Sequence, residues 1–123
     1  MNCKIWPPSD IEMMNATIDD FINKDKFAVH YITVSGHSEY NFFGNNMAMK
    51  NKKYVNNLEY STGAKAYLAT HIELDNALKI LLERLENAEK LDDTVIVISG
   101  DHYPYALDIE SINELSKYER DQT

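Results

Sequence analysis

Histidine and aspartate side chains follow two apolar segments of this sequence, each directly after a Ser-Gly pair. His37 ends the stretch YITVSGH, and Asp101 and His102 follow the Ser-Gly of TVIVISGDHYPY. Carboxylate oxygen and imidazole nitrogen together are ligands that zinc, manganese and iron accept. The glycines of both pairs would let a bound group approach the backbone closely. These three side chains therefore form a candidate site, provided that the fold brings the two segments together.

Two short strands and the helix between them are the elements that must position these residues. Residues 27–35 and residues 94–99 are nearly continuous apolar runs rich in β-formers, a pattern typical of strands covered on both faces. A strand–helix–strand crossover of this length predicts parallel pairing and a right-handed connection. Ligands of open α/β sheets lie beyond the carboxyl ends of the strands. His37, Asp101 and His102 are therefore expected to converge at one edge of the sheet.

Three amphipathic segments predict the helices that flank this sheet. The first, residues 9–23, opens with a capping-box signature in which Glu12 follows Ser9 by three residues. The clearest, residues 63–89, repeats apolar side chains at spacings of three and four. The last covers residues 108–118. Together with the strands they predict an α/β fold.

The predicted sheet is unusually small for this class of fold. Parallel sheets usually have more than two members, and two strands leave both edges open. Between the first strand and the long helix, the Asn-rich residues 36–61 show no sustained period and predict a long irregular loop. We therefore expect either a piece of a larger α/β domain or a chain that self-associates through its open sheet edges.

Composition and charge limit the classes of partner. The chain has 123 residues, is 44% hydrophobic and carries a net charge of −8, which indicates one globular domain at most and argues against nucleic acid or an anionic membrane as partner. A small anionic substrate stays possible, because a metal ion can invert the local field. The one cysteine, Cys3, excludes an intrachain disulfide. Neither a signal peptide nor a membrane segment is recognisable, so a soluble chain is predicted.

The Gly-Asp-His motif has a second interpretation, a polar turn in which Asp101 accepts hydrogen bonds from nearby backbone amides. The other two histidines are predicted to be packed and hydrogen-bonded: His30 lies inside the first strand and His71 on the apolar face of the long helix. No nucleophile with an activating base, no P-loop and no dinucleotide-binding glycine motif is recognisable.

Residues 27–40 and 66–105 resemble the later part of the sulfatase-type domain of lipoteichoic acid synthase-like phosphoglycerol transferases, in the alkaline phosphatase superfamily. The specific features are Ser-Gly-His after one strand, Gly-Asp-His-Tyr after the next, and a long helix between them. The stretch IWPPSDIEMM is similar to the segment that precedes this region in the family. The resemblance covers about residues 5–107 and implies that the chain, residues 1–123, is a fragment of one three-layer α/β/α domain.

The resemblance also implies a chemistry, metal-dependent phosphoryl or sulfuryl transfer with manganese as the expected ion. Asp101 and His102 match two metal ligands, and His37 matches a histidine that contacts the substrate phosphate. The substrate class is a phosphate or sulfate ester, such as a phosphatidylglycerol-type lipid. In the family the threonine nucleophile, another acidic ligand and an arginine lie upstream of the matched region. No catalytic nucleophile is therefore assigned, the isolated chain is expected to be inactive, and the parent is expected to be membrane-anchored with an extracellular catalytic domain.

Two other functions stay open at this point. A non-catalytic α/β binding or interaction module would use the same open sheet edges. A flavodoxin-like receiver or nucleotide-binding domain fits the crude topology but does not explain histidines at both strand ends. The Cys-x-Pro-x-Arg signature of formylglycine sulfatases is absent, and Tyr103-Pro104-Tyr105 favours the phosphoglycerol-transferase-like branch.

Overall fold

The computed structural model of the chain describes residues 4–116, and the regular secondary structure in that range is helical. Helix α1 spans Asp10–Thr17 and continues into a 3-10 turn at Ile18–Asp20. Helix α2 spans Asn46–Val55, α3 spans Thr62–Asn87 and α4 spans Ile109–Leu115. Helix α3 contacts each of the other three helices and is the central element. None of the helices in the described range is long and apolar enough to cross a membrane.

Each helix begins at a side chain that accepts a hydrogen bond from a backbone amide of its first turn. These N-cap residues are Ser9, Asn45, Ser61 and Asp108. The capping prediction at Ser9 is confirmed, because its hydroxyl accepts the Glu12 amide at 3.2 Å. At the cap of α4, hydrogen bonds from the Ser111 amide and hydroxyl hold the pKa of the Asp108 carboxyl below its usual range.

The predicted long helix is confirmed almost end to end, and the other helix predictions need correction. The first helix leaves α geometry at Thr17 rather than near residue 23. The predicted irregular loop at residues 36–61 contains α2, an Asn-capped helix that composition concealed. The last helix is present to Leu115, and the end of its predicted range, residues 117–118, lies outside the described residues.

Small residues of α3 let the neighbouring helices pack closely against it. Ala66 and Ala69 are fully buried and form one cluster with Ala48 and Val55 of α2. A second cluster joins the end of α3 to α1 and the segment after it, through Met14, Ile18, Phe21, Ile22, Ala77 and Leu85. The most buried face of α3 is therefore alanine-rich, and its leucine stripe is mostly half-buried.

A buried carboxylate joins three helices near the middle of α3. Glu73 is fully buried and accepts a hydrogen bond from the Ser9 hydroxyl at the start of α1. Lys50 of α2 forms an ion pair with the same oxygen at 2.8 Å, and the Asn51 amide lies 3.5 Å from the other oxygen. Because these partners come from the start of α1 and from α2, Glu73 fixes both helices against α3.

The predicted α/β class and its parallel sheet are wrong for the described residues, which contain helices and no strand. No backbone hydrogen bond joins residues 27–34 to residues 94–100 anywhere in the described chain. The helices cover only one side of these segments, where Phe27, Tyr31 and Ile96 pack against the core. The outward side chains are bare: Val95 is 88% exposed and Val97 85% exposed. Apolar β-branched runs predict strands, but a strand also needs a neighbour, and residues 4–116 supply none.

The two apolar segments nevertheless both contact the helical core. Near their starts, the Lys90 ammonium donates to the Lys24 carbonyl and lies 5.8 Å from the centre of the Phe27 ring. Both segments place side chains against the same hydrophobic cluster.

Candidate functional site

Side chains from other parts of the molecule hold the backbone of the first polar loop, residues 34–39. The His37 amide donates to the Val34 carbonyl at 2.9 Å and closes a turn. The four backbone carbonyls from Gly36 to Glu39 each accept a hydrogen bond from a side chain. The donors are the Tyr40 hydroxyl at 3.1 Å, the Asn45 amide at 3.0 and 2.9 Å, and the Trp6 indole at 3.1 Å. The backbone that carries His37 is therefore fixed by the surrounding structure.

The start of this loop is held by a buried carboxylate, Asp10, the first residue of α1. Asp10 is 2% exposed. Its Oδ1 accepts the Val34 amide at 2.9 Å and its Oδ2 accepts the Ser35 amide at 3.0 Å. The Ser35 hydroxyl also donates to Oδ2. Both carboxylate oxygens are thus used by the loop.

The His37 side chain points away from this support and is exposed. Its ring lies edge-on to Trp6, with the ring centres 5.0 Å apart. Its Nδ1 is 3.3 Å from the Ser38 carbonyl oxygen. Among the described residues Nε2 has no hydrogen-bond partner, so this nitrogen is available to a ligand.

The second polar loop, residues 100–105, is held mainly by its own residues. The side chains of Asp101 and His102 are 84% and 51% exposed, with Oδ2 and Nε2 3.5 Å apart. Asp101 Oδ1 accepts the His102 amide at 2.9 Å, which is the local bond of the polar-turn interpretation. The His102 ring packs against Tyr105, with the ring centres 5.0 Å apart. The side chains of Asp101 and His102 are therefore exposed on a turn that is held mainly by its own residues.

Tyr40 bonds to the first polar loop and lies close to Asp101 of the second. Its hydroxyl donates to Gly36 of the first loop. Burial raises the pKa of the Tyr40 phenol, and the negative charges of Tyr67, Tyr105 and Asp101 raise it further. Tyr40 is therefore close enough to Asp101 to feel its charge.

His37 is not bonded to the other two predicted site residues in the described structure. No hydrogen bond or ion pair between residues 4 and 116 joins His37 to Asp101 or His102. That same range contains no group of three side chains able to hold a metal ion. Asp101 and His102 alone do not make a metal centre, because protein sites for divalent ions use three or more ligands. A cleft of about 430 Å³ lies beside residues 26–31, and none of the three predicted residues lines it.

The remaining histidine and glycine predictions have mixed outcomes. His30 was predicted to be packed, but it is exposed. His71 is packed against Tyr67, with the ring centres 4.2 Å apart, and a Cβ on Gly36 would meet its Cε1 at 3.5 Å. Burial lowers the pKa of His71 from its usual 6.5. Neither Gly36 nor Gly100 has positive φ, so neither loop needs glycine for its backbone conformation.

Sequence reasoning missed Asp10 and Asn45, the two side chains that do most to hold the first loop. An aspartate in the first turn of a helix is ordinarily explained by the helix dipole, and this concealed the role of Asp10. Asn45 lies in a polar Asn-rich stretch, where one buried asparagine cannot be told from its exposed neighbours. The signal that was available for Asn45 is its position three residues before Ala48, as the N-cap of α2.

A family model described as Sulfatase matches residues 1–122 of the chain. The chain belongs to the sulfatase family. This family acts on sulfate or phosphate esters and is generally metal-dependent. Neither a search of curated proteins nor a search of solved structures returned a match.

Proposed function

We propose that this chain is the part of a lipoteichoic acid synthase-like sulfatase domain that carries two metal ligands and one substrate contact. Asp101 and His102 contribute to a divalent ion, with manganese the expected metal. His37 donates a hydrogen bond to the oxygens of the phosphoryl or sulfuryl group being transferred. The substrate is a phosphate or sulfate ester, with a phosphatidylglycerol-type lipid as the specific candidate.

The family match over residues 1–122 is the observation that carries this proposal. Three features of the molecule support it. The backbone at His37 is held by Asp10, Tyr40 and Asn45, which suits a residue that must meet a ligand in a fixed place. The exposed Asp101 and His102 side chains are accessible to an ion, and Tyr40 lies near both loops.

Two adjacent donors hold a divalent ion weakly, so we expect residues outside the described range to complete the metal site. A metal in such a site would neutralise charge that develops on the transferred group. The proposal assigns no nucleophile to this chain. We therefore expect the chain alone to show no turnover of a phosphodiester substrate with manganese present. Robust metal-dependent turnover that Asp101→Ala abolishes would contradict this expectation.

Paramagnetic broadening in NMR spectra tests the metal assignment, because it detects weak Mn²⁺ binding. We expect substoichiometric Mn²⁺ to broaden the signals of residues 100–103 in the wild-type chain. Asp101→Ala should remove the broadening. Asp92→Ala changes another exposed aspartate of the region and should leave it intact. Equal broadening in all three proteins would reject Asp101 as a ligand.

We also propose that the chain self-associates through the segment at residues 94–99. This run is uncharged and β-branched, the backbone of residues 95–99 is unpaired in the described structure, and Val97 is 85% exposed. Segments of this type pair readily with copies of themselves. The pairing would serve the alternative function of a non-catalytic binding module, for which a second copy is the partner.

Light scattering coupled to size-exclusion chromatography tests self-association. We expect the wild-type chain to elute as a dimer or larger species at high concentration, and Val97→Lys to shift it toward monomer. Tyr54→Lys is the matched control, since Tyr54 is an exposed apolar residue of α2. A wild-type chain that stays monomeric at high concentration would overturn this proposal.

A further inference from the structure

Asp10 is buried at the start of α1, yet the helix does not use its carboxylate. The N-cap of α1 is Ser9, whose hydroxyl accepts the Glu12 amide. The two oxygens of Asp10 accept three hydrogen bonds, all from Val34 and Ser35. Ser35 is fully buried. A buried carboxylate is costly unless it is well hydrogen-bonded, and here every bond that satisfies it comes from the loop.

The geometry links Asp10 to the position of His37. The Val34 amide donates to Asp10, and the Val34 carbonyl accepts the His37 amide at 2.9 Å. The turn that carries His37 thus begins on a residue that Asp10 holds. Hydrogen bonds to an ionised acceptor are about twice as strong as neutral ones, so Asp10 is a strong anchor for this loop.

Ser9 and Asp10, neighbours at the start of α1, bond to different parts of the molecule. The Ser9 hydroxyl donates to Glu73 and so ties α1 to the helical body, while Asp10 ties the same turn to the first polar loop. Of these two neighbouring residues, only Asp10 bonds to the loop.

We propose that Asp10 is a positioning residue that sets the conformation of the His37 loop, so that the imidazole is presented to the ester group. The inference deepens the proposed function and rests on it for the identity of the ligand. Asp10 itself touches neither substrate nor metal. It acts through Val34 and Ser35, and the chemical contact belongs to His37.

Amide hydrogen exchange on the full 123-residue chain tests this role. In Asp10→Asn we expect the His37 amide and the Trp6 indole N–H to exchange at least about tenfold faster than in the wild type, because the charged anchor is lost. Ser35→Ala removes only the hydroxyl bond and should give a smaller increase. It keeps the test decisive if Asp10→Asn does not fold.

Ser9→Ala is the control that separates positioning from general stability. It removes the neighbouring buried bond to Glu73 and the helix cap, so it should destabilise α1. If the inference is correct, Ser9→Ala speeds exchange in α1 but leaves the ratio of His37 exchange to α3 exchange unchanged. Unchanged His37 exchange in Asp10→Asn, or the same ratio change in Ser9→Ala, would overturn the inference.

Inorganic phosphate and sulfate, added to the wild-type chain, test the proposed function separately. We expect either anion to shift the His37 ring signals, with a weaker shift in Asp10→Asn at the same concentration. If the wild-type ring does not respond while exchange still depends on Asp10, the proposed substrate contact is wrong and the positioning of the loop stands. If both proteins respond equally, Asp10 does not position His37 for the anion, and the inference is wrong.

Discussion

The loops at residues 34–39 and 100–105 share a Ser-Gly-(Asp)-His pattern, but they are held in different ways. The first loop accepts hydrogen bonds from Trp6 and Asn45 and donates hydrogen bonds to Asp10, and all three residues lie outside the loop. The second loop depends on bonds among its own residues, such as Asp101 to the His102 amide. The shared motif therefore does not determine how firmly a loop is held. That depends on side chains elsewhere in the chain.

Removing Asn45 should disturb the first loop most. Asn45 is fully buried, caps α2 and donates to the carbonyls of His37 and Glu39. We expect Asn45→Ala to lower the free energy of unfolding by about 2–3 kcal/mol, because a cap and two further hydrogen bonds are lost. Urea denaturation measures this change.

Asn56→Ala provides the control at the other end of α2. Asn56 is exposed, and its replacement should change the free energy of unfolding by less than about 0.5 kcal/mol. Equal losses in the two variants would show that the first loop is not anchored through Asn45.

Removing the Tyr40 hydroxyl should have a smaller effect on the free energy of unfolding. Tyr40→Phe keeps the ring that packs against Tyr67 and loses the bond to the Gly36 carbonyl. We expect a loss of about 1 kcal/mol in the free energy of unfolding, measured by thermal or urea unfolding. Tyr105→Phe changes an exposed tyrosine of the second loop and should be neutral. A neutral Tyr40→Phe would remove Tyr40 from the set of anchors.

Acid should lower the stability of the folded chain through His71. Burial lowers the pKa of His71 from its usual 6.5, although a hydrogen bond with the Tyr67 backbone opposes the shift. The unfolded chain therefore takes up this proton at a higher pH than the folded chain. The stability that His71 contributes is complete above pH 6.5 and declines as the pH falls from there through the folded pKa.

The difference in stability between wild type and His71→Gln isolates this effect from other titrating groups. We expect that difference to be constant above about pH 6.5 and to move in favour of the glutamine variant as the pH falls. Urea denaturation at several pH values measures it. A difference that stays flat into acid would show that the burial of His71 does not matter for folding.

Changes in the second loop should have the smallest effect on folding. Asp101 and His102 are exposed and bond only within their own turn. We expect the double variant Asp101→Ala, His102→Ala to unfold within about 0.5 kcal/mol of the wild type. A loss above about 1 kcal/mol would reveal anchoring that makes the two loops alike. Since folding is preserved, the same variant is suitable for metal-binding measurements.

Patterns that depend on neighbours in sequence were predictable. The apolar spacing of α3 and the Ser9 cap are local features, and both are confirmed. The convergence of the two polar loops at one edge of a sheet stays a prediction, and the sheet itself is absent from residues 4–116. The assignments of His37, Asp101 and His102 to substrate and metal stay predictions.

The absence of a sheet from residues 4–116 and the side chains that anchor the first loop were not predictable, for two physical reasons. A β-branched run such as residues 94–99 shows that a segment suits a strand, but pairing depends on a neighbouring strand that residues 4–116 do not contain. Asp10 bonds to residues 24 and 25 positions away and Asn45 to residues six and eight positions away, and no periodicity marks such contacts. Buried hydrogen bonds of this kind become visible only in three dimensions.

The Trp6 indole beside His37 allows the first loop to be followed by intrinsic fluorescence. Trp6 is the one tryptophan among the 123 residues, it is half exposed, and it both touches the His37 ring and donates to Ser38. Indole emission depends on solvent contact and on quenching by nearby groups, so the intrinsic fluorescence of this protein reports on one loop. Ligand binding at His37, or loosening of its backbone, can therefore be followed without any added label.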